Sequence, residues 1–168
     1  MALHRRLGYD RAMRLALFEP DIPQNTGTMI RMAACLGLAV DIIEPCGFVW
    51  GGAPFRRAGM DYLARADVTR HDSWENFLET RRNAGGRIIL LTTKAADPYM
   101  EFAFDPADTL LLGRESAGVP DEVHAAADAR ITVPMAAGER SLNVAVAAAI
   151  ITGEALRQTG GFPAPAEG

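Results

Sequence analysis

Short apolar runs alternate along this chain with segments of helical character, and this alternation limits the folds that the chain can adopt. The predicted strands are 14–18, 39–43, 67–70, 87–92, 109–112 and 130–133. Helices are predicted at 25–36, at about 73–82, from 120 onward and from Ser141 to about Arg157, with a loop and short helix within 45–59 and a loosely structured segment at 94–107. Strands joined by helices form parallel sheets covered on both faces. The sequence therefore predicts an α/β fold with one largely parallel sheet.

The length of 168 residues suits one domain with a full core and is too short for two comfortable ones. We predict an N-terminal extension at 1–13, a single domain at 14–158 and a flexible tail at 159–168; Met13 could be the natural start. The extension lacks the apolar segment of a secretory signal, and no apolar run approaches the roughly 18 residues of a membrane span. These features predict a cytoplasmic protein.

Net charge and cysteine usage argue against several classes of protein. The formal net charge of −4 disfavours broad nonspecific nucleic-acid binding, although local arginine pairs could still bind phosphate. Cys35 and Cys46 fit no metal or disulfide spacing, and His4, His71 and His124 are dispersed. We therefore predict no metal site and interpret both cysteines as packing residues.

A first polar stretch, from Pro23 to Gly27, follows the first predicted strand and opens a predicted helix. Asn25 is expected to cap this helix by accepting hydrogen bonds from the next backbone N–H groups. Arg31 lies nearly two turns farther along and is expected on roughly the face of Asn25.

Two further polar stretches also begin where a predicted strand ends. Residues 113–120 follow the fifth strand, and their glycines permit a tight turn and close backbone approach to a ligand. Pro120 suits the first turn of the helix that follows. Residues 140–143 follow the sixth strand, with Ser141 as the expected N-cap of the last helix. Because ligands bind at the carboxyl ends of strands in open α/β sheets, the three stretches together predict a functional site.

The last predicted helix carries almost no polar face. Its apolar residues are Leu142, Val144, Ala145, Val146, Ala147, Ala148, Ala149, Ile150 and Ile151. A helix that is apolar nearly all round must be buried on more than one side, and small side chains permit close approach of a second helix. We therefore predict a homodimer interface here, with burial in the monomer core alone as the alternative.

Familiar nucleotide-binding and hydrolase motifs do not occur in the sequence. No Gly-x-Gly-x-x-Gly follows a strand, and there is no Gly-x-x-x-x-Gly-Lys phosphate loop. Ser116 lies in Gly-Arg-Glu-Ser-Ala-Gly, where Arg114 takes the position of a glycine that a nucleophile elbow needs. The spacing therefore argues against a serine hydrolase.

The three polar stretches, in this order, resemble the signature motifs of the SPOUT superfamily of S-adenosylmethionine-dependent RNA methyltransferases. The motifs of its 2′-O-ribose branch are matched by Pro-x-Asn-x-Gly-x-x-x-Arg from Pro23, Gly-x-Glu-x-x-Gly-x-Pro from Gly113 and Ser-Leu-Asn-Val from Ser141. Further residues at 44–48, 56–62 and 91–94 resemble the compact subfamily that methylates the wobble ribose, position 34, of certain tRNAs. The resemblance runs from about Arg14 to Arg157.

This resemblance implies a parallel sheet with a C-terminal trefoil knot, in a homodimer. It also implies S-adenosyl-L-methionine as cofactor, S-adenosyl-L-homocysteine as product and tRNA as the macromolecular partner. The implied cofactor-binding residues are Leu91, Thr92, Gly113, Glu115, Val133, Ser141 and Leu142.

The resemblance further implies catalytic roles for Asn25, Arg31, Glu115, Ser141 and Asn143. Because a guanidinium is effectively always protonated, we expect Arg31 to hold the ribose hydroxyl and a neighbouring phosphate, while the proton leaves late or through water. The two asparagines and the serine are expected to organise the site. Glu115 is expected to orient Arg31 or a cofactor group, or alternatively to complement the dipole at a helix N-terminus.

Arg56, Arg57 and Tyr62 are the residues expected to contact tRNA, the arginines through phosphate and the aromatic ring through base stacking. A solvated helix face for the arginines and core burial for Tyr62 are the alternatives. Three other functions remain open: a ribosomal-RNA 2′-O-methyltransferase of the same fold, a noncatalytic RNA-binding or adenosylmethionine-binding module, and an unrelated metabolite-binding α/β protein.

Overall fold

The six predicted strands form one parallel sheet in the computed structural model, which describes residues 12–94 and 97–165, with 59 and 60 described through their backbone alone. The strands are β1 (Arg14–Phe18), β2 (Ala39–Ile43), β3 (Asp67–His71), β4 (Ile88–Leu91), β5 (Thr109–Leu112) and β6 (Ala129–Ile131). The helices are α1 (Pro23–Leu36), α2 (Ala53–Leu63), α3 (Trp74–Ala84), α4 (Asp121–Ala126) and α5 (Val144–Thr159), and a 3-10 turn spans Tyr99–Glu101. The predicted α/β fold is confirmed.

Helices cover both faces of the sheet, which explains why the strands read as continuous apolar runs. One face buries Leu15, Leu17, Val40, Ile42, Leu110 and Leu112 against Met29 and Ile30 of α1, Phe55 of α2, and Ala148 and Ile151 of α5. The other face buries Ala16, Phe18, Ile43, Leu90 and Leu111 against Phe77 of α3 and Val123 of α4. Full burial of each leucine contributes about 1.5–3 kcal/mol. The alternation of side chains along each strand therefore divides the core into two layers.

The strand order determines which loops meet. The strands lie in the order β3-β2-β1-β5-β4-β6, and every neighbouring pair is parallel. Because β5 lies between β1 and β4, the loops that follow these three strands leave the sheet side by side at its carboxyl edge. Strand β6 pairs with the other side of β4, so the loop after β6 reaches the same edge. The three polar stretches of the sequence, which follow β1, β5 and β6, therefore lie at this edge.

A buried ionic cluster lies within the sheet layer around Asp41 of β2, whose side chain is 1% exposed. Arg14 Nε donates to Asp41 Oδ2 at 2.7 Å, and His71 Nε2 lies 2.8 Å from Asp41 Oδ1. Burial raises the pKa of Asp41, but hydrogen bonds with His71 and Arg14 lower this pKa by more than burial raises it. The carboxylate is therefore held in its charged form inside the protein.

Three predicted helix starts are wrong by one to three residues. Helix α1 begins at Pro23 with Ile22 in the N-cap position, so Asn25 lies in the first turn and does not cap it. Proline is favoured at the first helical position because its fixed φ suits the helix and its missing N–H is not needed there. Helix α5 begins at Val144 and is capped by Asn143, not by Ser141. Pro120 occupies the N-cap position of α4 and so precedes its first turn.

Other predicted bounds also differ from the observed ones. The short helix expected within 45–59 continues to Leu63, β4 is shorter by one residue at each end, and β6 ends at Ile131. Cys35 is exposed on α1, so its assignment as a packing residue is wrong. The expected extension and tail fall partly on residues 1–11 and 166–168, which lie outside the described residues. None of the helices described in the structure is both long and apolar enough to cross a membrane.

Candidate active site

A cavity of about 560 Å³ lies at the carboxyl ends of β4, β5 and β6. Its walls are the loops that follow these strands, together with the start of α1 and the start of α5. The sequence-predicted site residues that line it are Asn25, Leu91, Thr92, Gly113, Glu115, Val133, Ser141, Leu142 and Asn143. The structure therefore brings residues that are up to 118 positions apart in the chain into one cavity.

Asn143 connects the last helix to the first motif. Its Oδ1 accepts hydrogen bonds from the backbone N–H groups of Ala145 (2.8 Å) and Val146 (3.3 Å). Its Nδ2 donates to Asn25 Oδ1 at 3.1 Å. Because the amide oxygen caps α5, the amide nitrogen is directed at Asn25, and one side chain fixes both the helix start and the orientation of its neighbour.

Glu115 carries a buried acceptor that protein donors leave unsatisfied. Among the residues that the structure describes, Glu115 Oε2 is buried without a hydrogen-bond partner. Burial raises the pKa of Glu115, a hydrogen bond with the Asn25 side chain opposes this rise, and the nearby Asp21 carboxylate adds to it. Leaving a buried acceptor unsatisfied costs about 1–3 kcal/mol, so a ligand donor that reaches this oxygen gains by satisfying it.

The two ends of the loop after β5 lie close together, and glycines at 113 and 118 permit this close approach. Arg114 N–H donates to Gly118 O at 3.0 Å, and Gly118 N–H donates to Arg114 O at 2.8 Å. A Cβ at Gly113 would lie 2.7 Å from the Gly118 carbonyl carbon, and Gly118 has a φ of +64°. Any larger residue at Gly113 would force the loop open, so glycine here allows the backbone to fold closely beside the cavity.

Arg31 does not share the face of Asn25, and the expectation that it does is wrong. Six residues at about 100° each carry the chain roughly 240° around the helix axis. The Arg31 guanidinium instead lies over the Tyr62 ring of α2, with its carbon 4.7 Å from the ring centroid. Arg65 packs on the same ring at 4.5 Å. Arg31 and Tyr62 therefore contact each other, and neither is among the residues that line the cavity.

The two arginines expected to contact RNA lie on α2, which packs closely against α1. Both Arg56 and Arg57 are exposed, and Arg56 Nε donates to Gly51 O at 2.8 Å. A Cβ at Gly27 of α1 would lie 2.7 Å from Ala58. This close approach places the arginine-bearing surface of α2 beside α1, outside the cavity. Tyr62 is half-buried between arginine side chains, which matches neither core burial nor a free stacking surface.

Sequence reasoning assigned no site role to several residues of this region. Lys94 and Arg140 add positive charge to the cavity lining, and His124 lines it as well. Lys94 and Arg140 lie within the stretches 91–94 and 140–143 that the sequence analysis singled out, so those stretches already contained the signal for them. Asp21 bonds to the loop after β5, from a position 94 residues away in the chain, and no local pattern indicates that contact.

No group of three or more histidine, cysteine, aspartate or glutamate side chains within the described ranges is placed to hold a metal ion. Cys46 is partly buried, and burial, followed by the charge of Glu44, raises the pKa of its thiol to about 12. A thiol with such a pKa stays in its neutral form at neutral pH.

Comparison with known proteins agrees with this geometry. The model of the SpoU rRNA Methylase family matches residues 12–153. A tRNA (cytidine(34)-2′-O)-methyltransferase of Ancylobacter novellus is 60% identical over 150 residues, which make up 89% of this chain and 95% of the relative. A solved structure described as "Structural insights into the 2-OH methylation of C/U34 on tRNA" matches with a TM-score of 0.82 and 39% identity, over 89% of this chain and 97% of the other.

A more distant solved structure, the AdoMet-bound rRNA methyltransferase from Sinorhizobium meliloti, has a TM-score of 0.80 and 28% identity, over 87% of this chain and 56% of its own length. The family model spans most of the chain, and the Ancylobacter relative aligns over nearly its full length. The chain therefore belongs to the SpoU rRNA methylase family of methyltransferases.

Proposed function

We propose that this chain transfers a methyl group from S-adenosyl-L-methionine to the 2′-hydroxyl of the wobble-position ribose, position 34, in tRNA. The observation that carries this proposal is the strand-end cavity in which Asn143 bonds Asn25 and Glu115 keeps a buried, unsatisfied oxygen. The relatives named above, one a cytidine-34 methyltransferase and one described by C/U34 methylation, support the choice of substrate.

The cavity suits the proposed cofactor in size and chemistry. Its volume of about 560 Å³ falls within the roughly 300–1,000 Å³ of typical small-molecule sites. Leu91, Val133 and Leu142 would supply apolar walls, while Thr92, Ser141 and the backbone at Gly113 would supply hydrogen bonds. When bound, the cofactor supplies a methyl group on a reactive sulfonium, and its product is S-adenosyl-L-homocysteine.

The protein's own part in catalysis is positioning. The ribose hydroxyl must lie in line with the methyl group, and its proton must be removed. We assign Asn25, Asn143 and Ser141 to the organisation of the cavity, and Glu115 to orientation of a cofactor donor at its unsatisfied oxygen. Because a guanidinium is effectively always protonated, we assign Arg31 to holding the ribose hydroxyl and its phosphate, and the proton passes to water.

The position of Arg31 outside the cavity indicates how RNA would lie on the protein. The guanidinium is held over Tyr62 of α2, the helix that also carries the exposed Arg56 and Arg57. A tRNA backbone that runs along α2 toward the cavity would meet Arg56 and Arg57 first, and the reacting ribose would lie between Arg31 and the cavity. Arginine suits this role because its guanidinium fork matches phosphate oxygens. Tyr62 then supports RNA binding through the arginines, Arg31 and Arg65, that pack on its ring.

The exposed apolar surface of α5 supports a homodimer. Leu142, Val146 and Ile150 recur every four residues and are 39%, 48% and 36% exposed, and Ile22 at the start of α1 is 40% exposed. A stripe of this kind is normally covered by protein. We propose that a second copy of the chain covers it, and that the dimer provides the extended surface that tRNA needs.

The C-terminal trefoil knot also remains part of the proposal. The position of β5 between β1 and β4, and the return of α5 to pack on α1 and β5, support it. We further propose that the enzyme acts in the cytoplasm, where its tRNA substrate is found.

A methyl-transfer assay separates the proposed function from its alternatives. Labelled S-adenosylmethionine would be supplied with total tRNA that lacks wobble-ribose methylation, and in parallel with ribosomal RNA, and the product nucleotides would be mapped by mass spectrometry. We expect one 2′-O-methyl mark at position 34 of tRNA. Label in ribosomal RNA alone would favour the ribosomal-RNA enzyme, and tight cofactor binding without transfer to either RNA would favour a noncatalytic module.

A further inference from the structure

Two carboxylates at the end of β1 hold three consecutive residues of the loop after β5. Asp21 Oδ1 accepts from the Glu115 backbone N–H at 3.2 Å, and Asp21 Oδ2 accepts from the Ser116 backbone N–H at 3.4 Å and from the Ser116 hydroxyl. Glu19 Oε2 pairs with Arg114 Nη1 at 3.1 Å. We name Glu19 and Asp21 the carboxylate clasp.

The backbone on the clasp side is held firmly. Glu19 has a φ of 42°, the only left-handed φ of a non-glycine residue among the described residues. Its N–H donates to Ile43 O at 2.9 Å, at the end of the neighbouring strand. A residue persists in this conformation only when the surrounding structure determines it, and such residues concentrate at functional sites.

A third loop supports Asp21 from behind. Gly47 N–H donates to Pro20 O at 2.9 Å, and a Cβ at Gly47 would lie 2.8 Å from the Asp21 Cβ. Asp21 therefore has no room to withdraw from the loop that it holds. The clasp joins three segments: the loop after β2, the loop after β1 and the loop after β5.

We propose that Glu19 and Asp21 are positioning residues that fix the loop 113–118 in its cofactor-binding shape before the cofactor arrives. This inference rests on the proposed function. Asp21 satisfies the donors of Glu115 and Ser116 that face it, and Glu19 holds the Arg114 side chain through their ion pair. The Glu115 carboxylate is thereby left directed at the cavity, with one oxygen still without a partner. A loop ordered in advance lowers the entropic cost of binding, so the clasp strengthens cofactor affinity without a contact of its own.

The electrostatics of Asp21 suit this role. Burial raises the pKa of Asp21, but the hydrogen bonds from the Ser116 side chain and from the Glu115 and Ser116 backbone lower it by more. Asp21 is therefore charged at neutral pH and accepts these bonds as a carboxylate, which makes stronger hydrogen bonds than a neutral oxygen.

The test uses Asp21→Asn, which keeps the side-chain size but removes the charge and one acceptor oxygen. Hydrogen exchange of the Glu115 and Ser116 amides would be followed by NMR in cofactor-free protein, and the dissociation constant for S-adenosylmethionine by calorimetry. We expect at least about tenfold faster exchange of these two amides and about tenfold weaker cofactor binding, because a charge-assisted bond has been lost. The KM for cofactor should rise, while kcat changes less than threefold.

Asp67→Asn is the matched control, because it makes the same change in an exposed carboxylate on edge strand β3. It should leave both readouts at the wild-type level. Exchange and affinity within twofold of wild type in Asp21→Asn would overturn the proposal.

If Asp21→Asn unfolds, Ser116→Ala and Glu19→Gln carry the test, since the first removes one hydrogen bond to Asp21 and the second removes the charge that pairs with Arg114. At least one of them must weaken cofactor binding threefold or more, and wild-type affinity in both would overturn the proposal. A wild-type protein that binds no S-adenosylmethionine would instead reject the proposed function, while amide exchange would still report on the clasp.

Discussion

At the scale of single residues, the site depends on side chains that each have two partners. Asn143 caps α5 through its oxygen and orients Asn25 through its nitrogen. Asp21 accepts from two consecutive residues of the facing loop. Such side chains couple folding to catalysis, because the bonds that start a helix or fix a loop also set the geometry of the cavity.

Replacement of Asn143 should separate these two roles. Asn143→Ala removes the cap and the bond to Asn25, so the free energy of unfolding should fall by about 1 kcal/mol and methyl transfer should fall at least tenfold. Asn143→Ser keeps a good capping group, but its hydroxyl is carried on a shorter side chain and should not reach Asn25 while it caps α5. Urea unfolding and methyl transfer would be measured for both variants.

In Asn143→Ser we expect stability within about 0.5 kcal/mol of wild type, together with the loss of activity seen in Asn143→Ala. Full activity in the serine variant would show that the bond to Asn25 is dispensable.

The sequence predicted which residues form the cavity better than it predicted the helix face or the partners of each side chain. The motif residues from Asn25 to Asn143 were identified because polar groups follow apolar strands, and strand ends meet in parallel sheets. Arg31 was misplaced because a separation of six residues does not return to the same helix face. Asp21 was missed because its partners lie in a distant loop, and an isolated acid after a strand has no distinguishing local signal.

At the scale of elements, α5 has two apolar sides with different partners. Ala148, Ile151 and Ala155 are buried against the sheet and α1, whereas Val146 and Ile150 are exposed. We predicted that this helix is buried on more than one side. Within one protomer, only the side that carries Ala148, Ile151 and Ala155 is buried. The exposed side is the surface that we assign to a second copy.

A charge on this exposed side should prevent dimer formation. In Val146→Glu, association would bury an uncompensated carboxylate, so light scattering should report a monomer at concentrations where we expect wild type to be a dimer. Arg157→Gln is the control, because it changes the net charge by the same amount near the end of the same helix, where the side chain is exposed. A dimer of unchanged stability in Val146→Glu would place the interface elsewhere.

The end of β6 shows that the apolar pattern of a segment does not determine where a strand ends. The apolar pattern predicted that the sixth strand would continue to Val133, but β6 pairs with β4 only as far as Ile131. Beyond that point Thr132 forms a bridge with Pro98 and donates its N–H to Asp97 O at 3.0 Å. The apolar pattern of residues 130–133 is the same whether they pair with β4 or with the segment at Asp97 and Pro98. The sequence therefore does not reveal that the pairing partner changes after Ile131.

At the scale of the whole molecule, the buried Asp41 cluster links stability to pH. The pKa of Asp41 is lower in the folded protein than its ordinary value of 3.8, so its charge stabilises the fold above that pH. This contribution is lost as the pH falls from about 4 through the lower, folded-state pKa.

Asp41→Asn should therefore lower the free energy of unfolding by about 3 kcal/mol at pH 7. It should also make the unfolding free energy less dependent on pH below about 5, as measured by urea unfolding at a series of pH values. Asp67→Asn, on the exposed surface of β3, should change neither quantity appreciably. An unchanged pH dependence in Asp41→Asn would show that other carboxylates account for acid destabilisation.

The α/β class and the parallel sheet were predictable because strands buried on both faces leave continuous apolar runs. The strand order β3-β2-β1-β5-β4-β6 was not, since hydrophobic periodicity does not specify which strands become neighbours. The family resemblance was carried by three short motifs, and it is confirmed by the family model over residues 12–153. The knot and the dimer, which the resemblance implied, stay predictions.

The most direct test of the proposed reaction compares two tRNAs that differ only at the 2′ position of nucleotide 34. One carries ribose there and the other carries 2′-deoxyribose, and the methyl groups transferred per tRNA are counted with saturating S-adenosylmethionine. We expect about one methyl group on the ribose tRNA and none on the deoxyribose tRNA, because the second tRNA lacks the accepting oxygen. Equal methylation of both tRNAs would contradict the assignment of the wobble 2′-hydroxyl as the acceptor.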